Sequence, residues 1–411
     1  MGARLGALCL AGALMSMPAP GQTLDLDRAD GALRVATFNA SLVRKGAGVL
    51  IADIDKADRQ ILTVAEIVLH VRPDILLINE IDFDPQGLAL NRFADLLAAG
   101  TGDLPGLDYP HRYTAPSNTG VPSGFDLDGD GRVADARDAL GYGRFPGQYG
   151  MAVLSRHPIG PVRTFRNLKW AAIPWAQAPQ NPDGTPFYAD AAWAALPLSS
   201  KSHWDVAVTL PDGRALHLLA SHPTPPVFDG PENRNGLRNA AEVRFWIDYL
   251  SGADWMVDDA GQAGGLGAGA VAIVMGDLNA DPLKGDGDQA TITALISHPR
   301  LQDPRPESPG AAAAGDAANT ADWPEEDGPG DLRVDYVLPD ARLVVLGSGV
   351  FWPAPDDPLA RLTAQRGKRP ASSDHRLVWV DVDMNADMNA DSDPGGKTDG
   401  KSDGKSDGER P

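Results

Sequence analysis

Short apolar runs alternate with helical stretches along the chain. Runs rich in β-branched residues and bounded by turn residues predict eight strands, at Leu33–Phe38, Ile75–Asn79, Met151–Leu154, Trp204–Leu210, Ala215–Ala220, Val271–Met275, Val334–Leu338 and Leu377–Val382. Apolar positions that recur at helical spacing predict three helices, at Ala57–Val71, Gln86–Ala99 and Glu232–Leu250. The order of these elements predicts an α/β fold with few helical crossovers rather than a strict alternation of strand and helix.

The predicted elements belong to one domain, over residues 31–383, which also holds several long connections. Residues 170–203 and 303–330 show no sustained period and are interpreted as insertions. A third insertion, over residues 124–138, is rich in aspartate and glycine. The connection over residues 251–270 is rich in glycine and alanine and is expected to be an exposed loop.

The first residues have the pattern of an export signal. Arg4 precedes an apolar run from Leu5 to Met17, and the small residues Ala19 and Gly21 follow. Residues 1–21 are therefore predicted to be a signal peptide, and the mature protein to be secreted or periplasmic. The alternative is an uncleaved N-terminal helix. The apolar run is too short to act as a stable membrane anchor.

The last residues are of low complexity. Residues 384–411 contain repeats of Met-Asn-Ala-Asp and of Lys-Ser-Asp-Gly, with no apolar periodicity. Such a composition predicts a disordered tail. Weak calcium binding by its aspartates is the less favoured alternative, because the repeats lack the fixed ligand spacing of a calcium loop.

Net charge and cysteine content limit the partners and the structural sites that the chain can have. The 411 residues carry 36 Lys and Arg against 56 Asp and Glu, a formal net charge of −20. Such a charge repels phosphate backbones at long range, which argues against a general nucleic-acid binder unless a bound cation or a local basic pocket overrides it. Cys9 is the only cysteine, so an intrachain disulfide and a cysteine-based zinc site are both excluded.

Polar and ionisable residues follow the predicted strands at six places. These segments are Thr37–Ala40, Ile78–Glu80, Ala220–Pro223, Gly276–Ala280, Arg333–Leu338 and Ser372–His375. In an open α/β sheet, residues just beyond the strand ends line the ligand site. Each segment alone is more typical of a turn or a cap, so only their combination indicates a site.

Taken in order, the six segments resemble the endonuclease/exonuclease/phosphatase superfamily, which includes DNase I-like nucleases, sphingomyelinases and inositol-phosphate phosphatases. The resemblance runs from about Leu33 to Val382, and Gly-Asp-Leu-Asn, Arg-Val-Asp-Tyr-Val-Leu and Ser-Asp-His are its most specific pieces. It implies a DNase I-like fold, a four-layer sandwich of two mixed β-sheets flanked by helices, with the active site at one edge.

The resemblance also implies a cation site. Glu80 would be the chief ligand of a divalent cation, Asn39 would lie beside it, and Asp374 would complete the site directly or through water. Oxygen ligands of this kind suit Mg²⁺ or Mn²⁺, which keep several waters and take further ligands from phosphate.

The same resemblance implies catalytic roles for five residues. Asp277 would orient or deprotonate the attacking water, and Asn279 would hydrogen-bond the phosphate oxygens. His375, oriented by Asp335, would face the phosphate as a charge stabiliser or an acid. His222 would neutralise developing charge or protonate the leaving oxygen.

A second cation site is predicted from the residues themselves. Asp126, Asp128 and Asp130 alternate and are followed by glycine, as in the first half of a calcium loop. The second half departs from that pattern, because the twelfth position is Arg137. Structural calcium is the favoured interpretation and an Asp/Gly turn is the alternative.

The roles of two other pairs of residues stay open. Gln148 or Tyr149, just before a predicted strand, is as consistent with entering the site as with packing. Arg234 and Arg238 could clamp a second phosphate or a carboxylate, although a surface role at the start of a helix is favoured.

The function predicted from these features is an exported, divalent-metal-dependent hydrolase of phosphate esters, a phosphatase or phosphodiesterase acting as a monomer on small or lipid-derived substrates. An extracellular nuclease of the same superfamily is the alternative; the net charge and the lack of a Lys/Arg stripe weigh against DNA. A calcium-stabilised binding protein without catalysis ranks below both, because every principal site residue is retained.

Overall fold

Eleven strands of the described part of the chain pair into two mixed sheets. The computed structural model describes residues 23–326, 328–366 and 369–383, so the predicted signal peptide and tail lie outside the described residues. The strands are β1 Ala32–Leu42, β2 Ile75–Ile81, β3 His111–Thr114, β4 Gly150–Ser155, β5 Ile159–Thr164, β6 His203–Thr209, β7 Ala215–Ser221, β8 Val271–Asp277, β9 Asp335–Pro339, β10 Val345–Val350, the small pair β11 Gln365–Arg366 and β12 Arg369–Pro370, and β13 Val378–Asp383.

The first sheet has the strand order β10-β13-β1-β2-β4-β3 and the second has the order β5-β6-β7-β8-β9. Each sheet contains one parallel pair: β1 runs alongside β2 with Val35 opposite Ile75, and β7 runs alongside β8 with Leu216 opposite Val271. The other neighbours are antiparallel. Parallel neighbours need a crossover connection, and helices supply both.

The helices are α1 Val49–Asp55, α2 Arg59–Val71, α3 Leu88–Ala99, α4 Asp190–Ala195, α5 Arg234–Leu250, α6 Gln289–Ile296 and α7 Pro309–Ala314. Helices α1 and α2 connect β1 to β2, and α5 connects β7 to β8. The buried faces of α2 and α3 pack on the first sheet, and those of α5 and α6 pack on the second.

Alternation along the strands builds the layers. In β1, Leu33 and Val35 face the second sheet, whereas Ala36 and Phe38 pack against the helices. Successive side chains of a strand point to opposite faces of the sheet, so one strand contributes to both apolar layers. The result is helices, sheet, sheet and helices, which confirms the four-layer sandwich.

The N-terminus of α2 fixes two segments that lead into the site. The Asp58 carboxylate accepts hydrogen bonds from the backbone N–H groups of Gln60 and Ile61, which caps the helix. The Gln60 side-chain amide then donates to the carbonyls of Ala40, at 3.0 Å, and Ser372, at 2.7 Å. The end of β1 and the segment before β13 are therefore held together.

All eight predicted strands and all three predicted helices are present, with shifted ends. The small pair β11 and β12 is absent from the prediction, and so are three sheet strands, β3, β5 and β10, which lie at sheet edges. Edge strands are partly exposed, and glycine or proline interrupts two of these three, β5 and β10, so their apolar pattern is weak.

The expected exposed loop over residues 251–270 is wrong in part. Met256 and Leu266 are buried in the core beneath α5. Trp170 and Leu198, in the predicted insertion over residues 170–203, belong to the same core. Within the described ranges, no helix combines the length and the apolar character needed to cross a membrane.

Candidate active site

A cleft of about 670 Å³ opens where the two parallel strand pairs end. Seven of the side chains expected from the sequence line it: Asn39, Glu80, His222, Asp277, Asn279, Asp374 and His375. The eighth, Asp335, lies behind His375 and is hydrogen-bonded to it. The structure therefore brings together all the residues that were expected to form the catalytic centre.

Strand alternation explains why four of these side chains converge. In β1, β7 and β8, the residues Val35, Ala220 and Met275 pack between the two sheets, and Asn39, His222 and Asp277 follow them on the same face. In β9, Asp335 precedes Val337 on the face that packs between the sheets. The apolar layer between the sheets thus ends in polar groups at one edge. Each of the four is at most 3 % exposed.

Glu80 breaks this alternation. By parity it should lie on the helix side of β2 with Ile78, but the pairing of β2 with β4 shifts register between Asn79 and Ile81, which leaves Glu80 as an extra residue. Its φ of 59° is in the left-handed region. A bulge of this kind re-aims a side chain, and here the carboxylate turns into the cleft.

Strand β8 approaches β7 closely beside the site. A Cβ on Gly276 would lie 2.0 Å from the Ser221 carbonyl oxygen, and the φ of Gly276 is +141°. Only glycine fits such a position. Asn79 then bridges the sheets, because its Oδ1 accepts from the Asp277 backbone N–H at 3.1 Å. These contacts fix the position of Asp277.

Asp277 is the centre of the hydrogen-bond network. Its Oδ2 accepts from the Asn39 amide at 3.0 Å and lies 3.3 Å from His222 Nε2 and 3.7 Å from His375 Nε2. Its Oδ1 accepts from the Asn279 backbone N–H at 3.0 Å. Burial alone would raise the pKa of Asp277, but the charge of His375 and the hydrogen bonds from His222 and Asn39 lower it below its usual range. The carboxylate stays ionised.

The two histidines differ in charge. Burial and the nearby charge of Lys201 lower the pKa of His222 to about 4, so this imidazole is neutral at neutral pH. Its Nδ1 has no hydrogen-bond partner among the described residues. A neutral His222 is suited to donate a hydrogen bond from Nε2 rather than to deliver a proton.

His375 is instead held protonated. Its Nδ1 lies 2.9 Å from Asp335 Oδ2. Burial opposes the charged imidazole, but the carboxylates of Asp335 and Asp277 outweigh it and raise the pKa of His375 well above its usual value. This is the pairing that was expected from the sequence, with Asp335 as the orienting group.

The residues expected to hold a divalent cation offer oxygen donors that suit such an ion. Glu80 and Asp374 line the same cleft as the Asn39 amide. Burial, together with the carboxylates of Asp374 and Asp277, raises the pKa of Glu80 to about 7, against the opposing charges of His375 and Lys201. A cation would relieve this repulsion, and carboxylate and amide oxygens are the donor set that Mg²⁺ and Mn²⁺ prefer.

The aspartates of the predicted calcium loop also come together. One carboxylate oxygen from each of Asp126, Asp128 and Asp130 lies within 4.8 Å of the others. Asp126 also accepts from the backbone N–H groups of Gly129 and Gly131. Arg137, at the departing position, forms an ion pair with Asp128 at 3.3 Å. Calcium binding stays a prediction here.

The residues left open by the sequence have mainly structural contacts. The Gln148 amide is occupied by the backbones of Arg144 and Arg44. Arg238 donates to the carbonyls of Leu140, Pro197 and Leu198.

Arg234 pairs with Glu232 and covers the ring of Phe187. Tyr149 has a φ of 55°, and burial followed by the charge of Glu80 raises its pKa to about 12. Tyr149 is therefore a neighbour of Glu80 that does not line the cleft.

Three residues near the site were not identified from the sequence. Lys201 is buried, and its ammonium shares the Pro223 carbonyl with the Asn279 amide, at 3.3 and 3.2 Å. Thr320 donates to Asp335, and Trp323 donates to Asp374. Both Thr320 and Trp323 lie in the predicted insertion over residues 303–330, where no periodic pattern marks them.

The sequence profile of the Endonuclease/Exonuclease/phosphatase family matches residues 36–375. No match to a curated protein sequence was found.

Similar solved structures include an endonuclease/exonuclease/phosphatase from Beutenbergia cavernae (21% identity, 86% of this chain and 71% of that chain covered, TM-score 0.48). A second is a mannosyl-6-phosphatase from Bacteroides thetaiotaomicron (16% identity, 85% of this chain and 99% of that chain covered, TM-score 0.42). A third is truncated TDP2 from Caenorhabditis elegans (15% identity, 85% of this chain and 97% of that chain covered, TM-score 0.42). The family match over most of the chain shows that this protein belongs to the endonuclease/exonuclease/phosphatase family, whose members hydrolyse phosphoester bonds.

Proposed function

We propose that the protein is an exported, divalent-metal-dependent hydrolase of phosphate esters, a phosphatase or phosphodiesterase that acts on small or lipid-derived substrates. The observation that carries this proposal is the convergence of Asp277, His222 and the His375–Asp335 pair in one cleft with Glu80 and Asp374. Phosphoryl transfer depends on positioning and on charge stabilisation, and this arrangement supplies both.

Each side chain has a role that follows from its surroundings. Asp277 stays ionised and accepts a hydrogen bond from the attacking water, which fixes the direction of attack. His375 faces the phosphate as a cation, and the Asn279 amide donates to a phosphate oxygen. Glu80, Asp374 and Asn39 would hold a divalent cation, which would supply further positive charge to the phosphate.

The mouth of the cleft supports a substrate with an apolar part. One wall contains Pro225, Pro226 and Phe228, whose side chain is 88 % exposed. Trp323 and Pro324 also line the cleft. An exposed aromatic side chain beside a phosphate site favours an ester whose alcohol is apolar, since burial of that group gains about 25 cal/mol per Å².

The charge around the cleft argues against a nucleic-acid polymer. Among the described residues that line it, Lys284 is the only lysine or arginine, whereas Asp281, Asp286 and Glu326 add negative charge. A nuclease contacts several successive phosphates and needs cations along that track. The lining provides for one phosphate rather than for a row of them.

A substrate screen tests the proposal. Purified protein with Mg²⁺, Mn²⁺ or Ca²⁺ is assayed on p-nitrophenyl phosphate, bis-p-nitrophenyl phosphate, sphingomyelin and plasmid DNA. We expect hydrolysis of at least one of the first three with Mg²⁺ or Mn²⁺, its loss in Glu80→Gln and its retention in Asp286→Asn, which removes an exposed carboxylate of the cleft mouth.

Preferential cleavage of DNA would establish the nuclease instead. A folded protein that is inactive on all four substrates would favour the calcium-stabilised binding protein. Detection of the protein outside the cytoplasm of an expressing cell, with residues 1–21 removed, tests the export part of the proposal separately.

A further inference from the structure

We propose that residues 320–323 are a positioning segment that holds both the His375–Asp335 pair and Asp374 in their working orientations. The inference rests on the proposed function. It gives a role to part of the insertion over residues 303–330, whose sequence pattern indicates only an irregular connection. Two side chains of the segment contact site carboxylates, and its backbone is bound on both sides.

Thr320 fixes Asp335. Its hydroxyl donates to Asp335 Oδ2 at 2.8 Å and accepts from the backbone N–H groups of Val334 and Asp335, both at 3.0 Å. The same Oδ2 receives His375 Nδ1 at 2.9 Å. Asp335 Oδ1 has no hydrogen-bond partner among the described residues. Without the Thr320 hydroxyl, only the imidazole would select the rotamer of this buried carboxylate.

Trp323 fixes Asp374. Its indole Nε1–H donates to Asp374 Oδ2 at 2.9 Å. The indole ring also packs edge-on against the His375 imidazole, with ring centroids 5.1 Å apart and an interplanar angle of 87°. One side chain therefore limits the movement of two neighbouring site residues. Groups that hydrogen-bond ligand carboxylates in this way tune metal sites.

The backbone of the segment is bound to the chain that carries the site. Asp322 N–H donates to the Asp374 carbonyl at 2.8 Å, and Arg376 N–H donates to the Thr320 carbonyl at 2.7 Å. The Asp322 carboxylate also accepts from Arg376 Nη2 at 2.7 Å. Because these bonds lie on both sides of His375, the segment and the Asp374–Arg376 stretch form one rigid unit.

The test compares conservative variants with a matched control. Trp323→Phe keeps an aromatic ring and removes the indole N–H. Thr320→Val keeps the shape of the side chain and removes the hydroxyl, whereas Thr320→Ser keeps the hydroxyl and removes the methyl group. The control is Trp175→Phe, since Trp175 Nε1 makes the same kind of bond to Asp248, at 2.6 Å, outside the cleft.

Three quantities are measured: Mn²⁺ binding by the electron paramagnetic resonance of free Mn²⁺, kcat and KM on the best ester of the screen, and the His375 Nδ1 proton resonance. We expect Trp323→Phe to bind Mn²⁺ roughly tenfold more weakly. Thr320→Val should shift the His375 resonance and lower kcat roughly tenfold at unchanged KM, and Thr320→Ser should recover most of both. Trp175→Phe should change none of them.

The proposal is overturned if Trp323→Phe binds Mn²⁺ with wild-type affinity and Thr320→Val leaves the His375 resonance unshifted. Losses in Trp175→Phe that match those in Trp323→Phe also overturn it, because the effect is then general destabilisation. If the wild-type protein hydrolyses no ester, the proposed function fails, and the Mn²⁺ and resonance measurements still decide the positioning role.

Discussion

Burial makes the charge of each site residue depend on its neighbours. His375 and Asp335 are both nearly inaccessible to water and share one hydrogen bond. Burial alone would disfavour the charged form of either group, so the ion pair exists only because each partner supplies the compensating charge. Removing one partner leaves the other buried without compensation.

The first prediction follows from this dependence. His375→Ala and Asp335→Asn should each lower kcat by on the order of a hundredfold or more, because both disable the same donor to the phosphate. The double variant should be little worse than the worse single variant. Steady-state kinetics of the three variants measures this, and strictly additive losses would show that the two residues act separately.

A control for the pair is available elsewhere in the chain. His217 in β7 has its Nδ1 2.7 Å from Oδ1 of Asp205 in β6, and neither residue lines the cleft. His217→Ala should therefore leave kcat close to the wild-type value. A loss in this variant that equals the loss in His375→Ala would assign both effects to folding.

At the scale of elements, α5 connects two loops beside the site. The Glu242 carboxylate accepts from the backbone N–H groups of Ser200 and Thr224, both at 2.6 Å. The Glu242 carbonyl lies 2.9 Å from His203 Nε2. Buried groups of one helix therefore hold the start of β6 and the residue that follows His222 and Pro223.

The second prediction concerns pH and His203. Burial lowers the pKa of His203 to about 4, compared with about 6.5 in an unfolded chain. The unfolded state therefore binds more protons between these values, and the free energy of unfolding should fall as pH falls from about 6.5 to 4. His203→Gln should flatten this part of the profile, measured by urea unfolding. An unchanged slope would show that other groups cause the acid sensitivity.

The third prediction concerns the loop over residues 124–138. If Asp126, Asp128 and Asp130 bind calcium, Ca²⁺ should raise the melting temperature by mass action. Asp128→Ala should remove that increment without abolishing hydrolysis. Asp183→Ala, in an exposed turn with a similar backbone hydrogen bond, should keep it. A full calcium response in Asp128→Ala would exclude the loop as the binding site.

For the whole molecule, net charge and site charge have the same sign. The chain has a formal charge of −20, and its cleft concentrates carboxylates. Carboxylates that repel one another raise the free energy of the folded state until a cation binds. Activity and stability should therefore respond in opposite ways to the loss of Glu80, a carboxylate of the expected cation site.

The fourth prediction tests this opposition. Exhaustive chelation should abolish hydrolysis, and Mg²⁺ or Mn²⁺ should restore it. Glu80→Ala should be as inactive as the chelated protein, yet its melting temperature without metal should not fall, because the repulsion from Asp374 and Asp277 is relieved. Activity that survives chelation would contradict the metal dependence, and a collapse in melting temperature would identify Glu80 as a structural residue.

The sequence by itself determined the central strands, the three longest helices and the eight residues that were expected to form the catalytic centre. Central strands such as β2 and β8 are buried on both faces, so their apolar runs are continuous and easily recognised. The site residues follow these runs directly, which is why Asn39, Asp277 and Asp335 could be found from their place after or within a strand pattern. The family resemblance supplied their roles.

Only the tertiary structure decided how these residues face one another. Strand parity places Glu80 on the helix side of β2, and the bulge against β4 turns it into the cleft. Thr320 and Trp323 stand in an irregular stretch, yet they reach Asp335 and Asp374 because the chain folds back beside them. Local periodicity reports which face of a single element is apolar, whereas a bulge or a long-range hydrogen bond depends on residues far apart in the sequence.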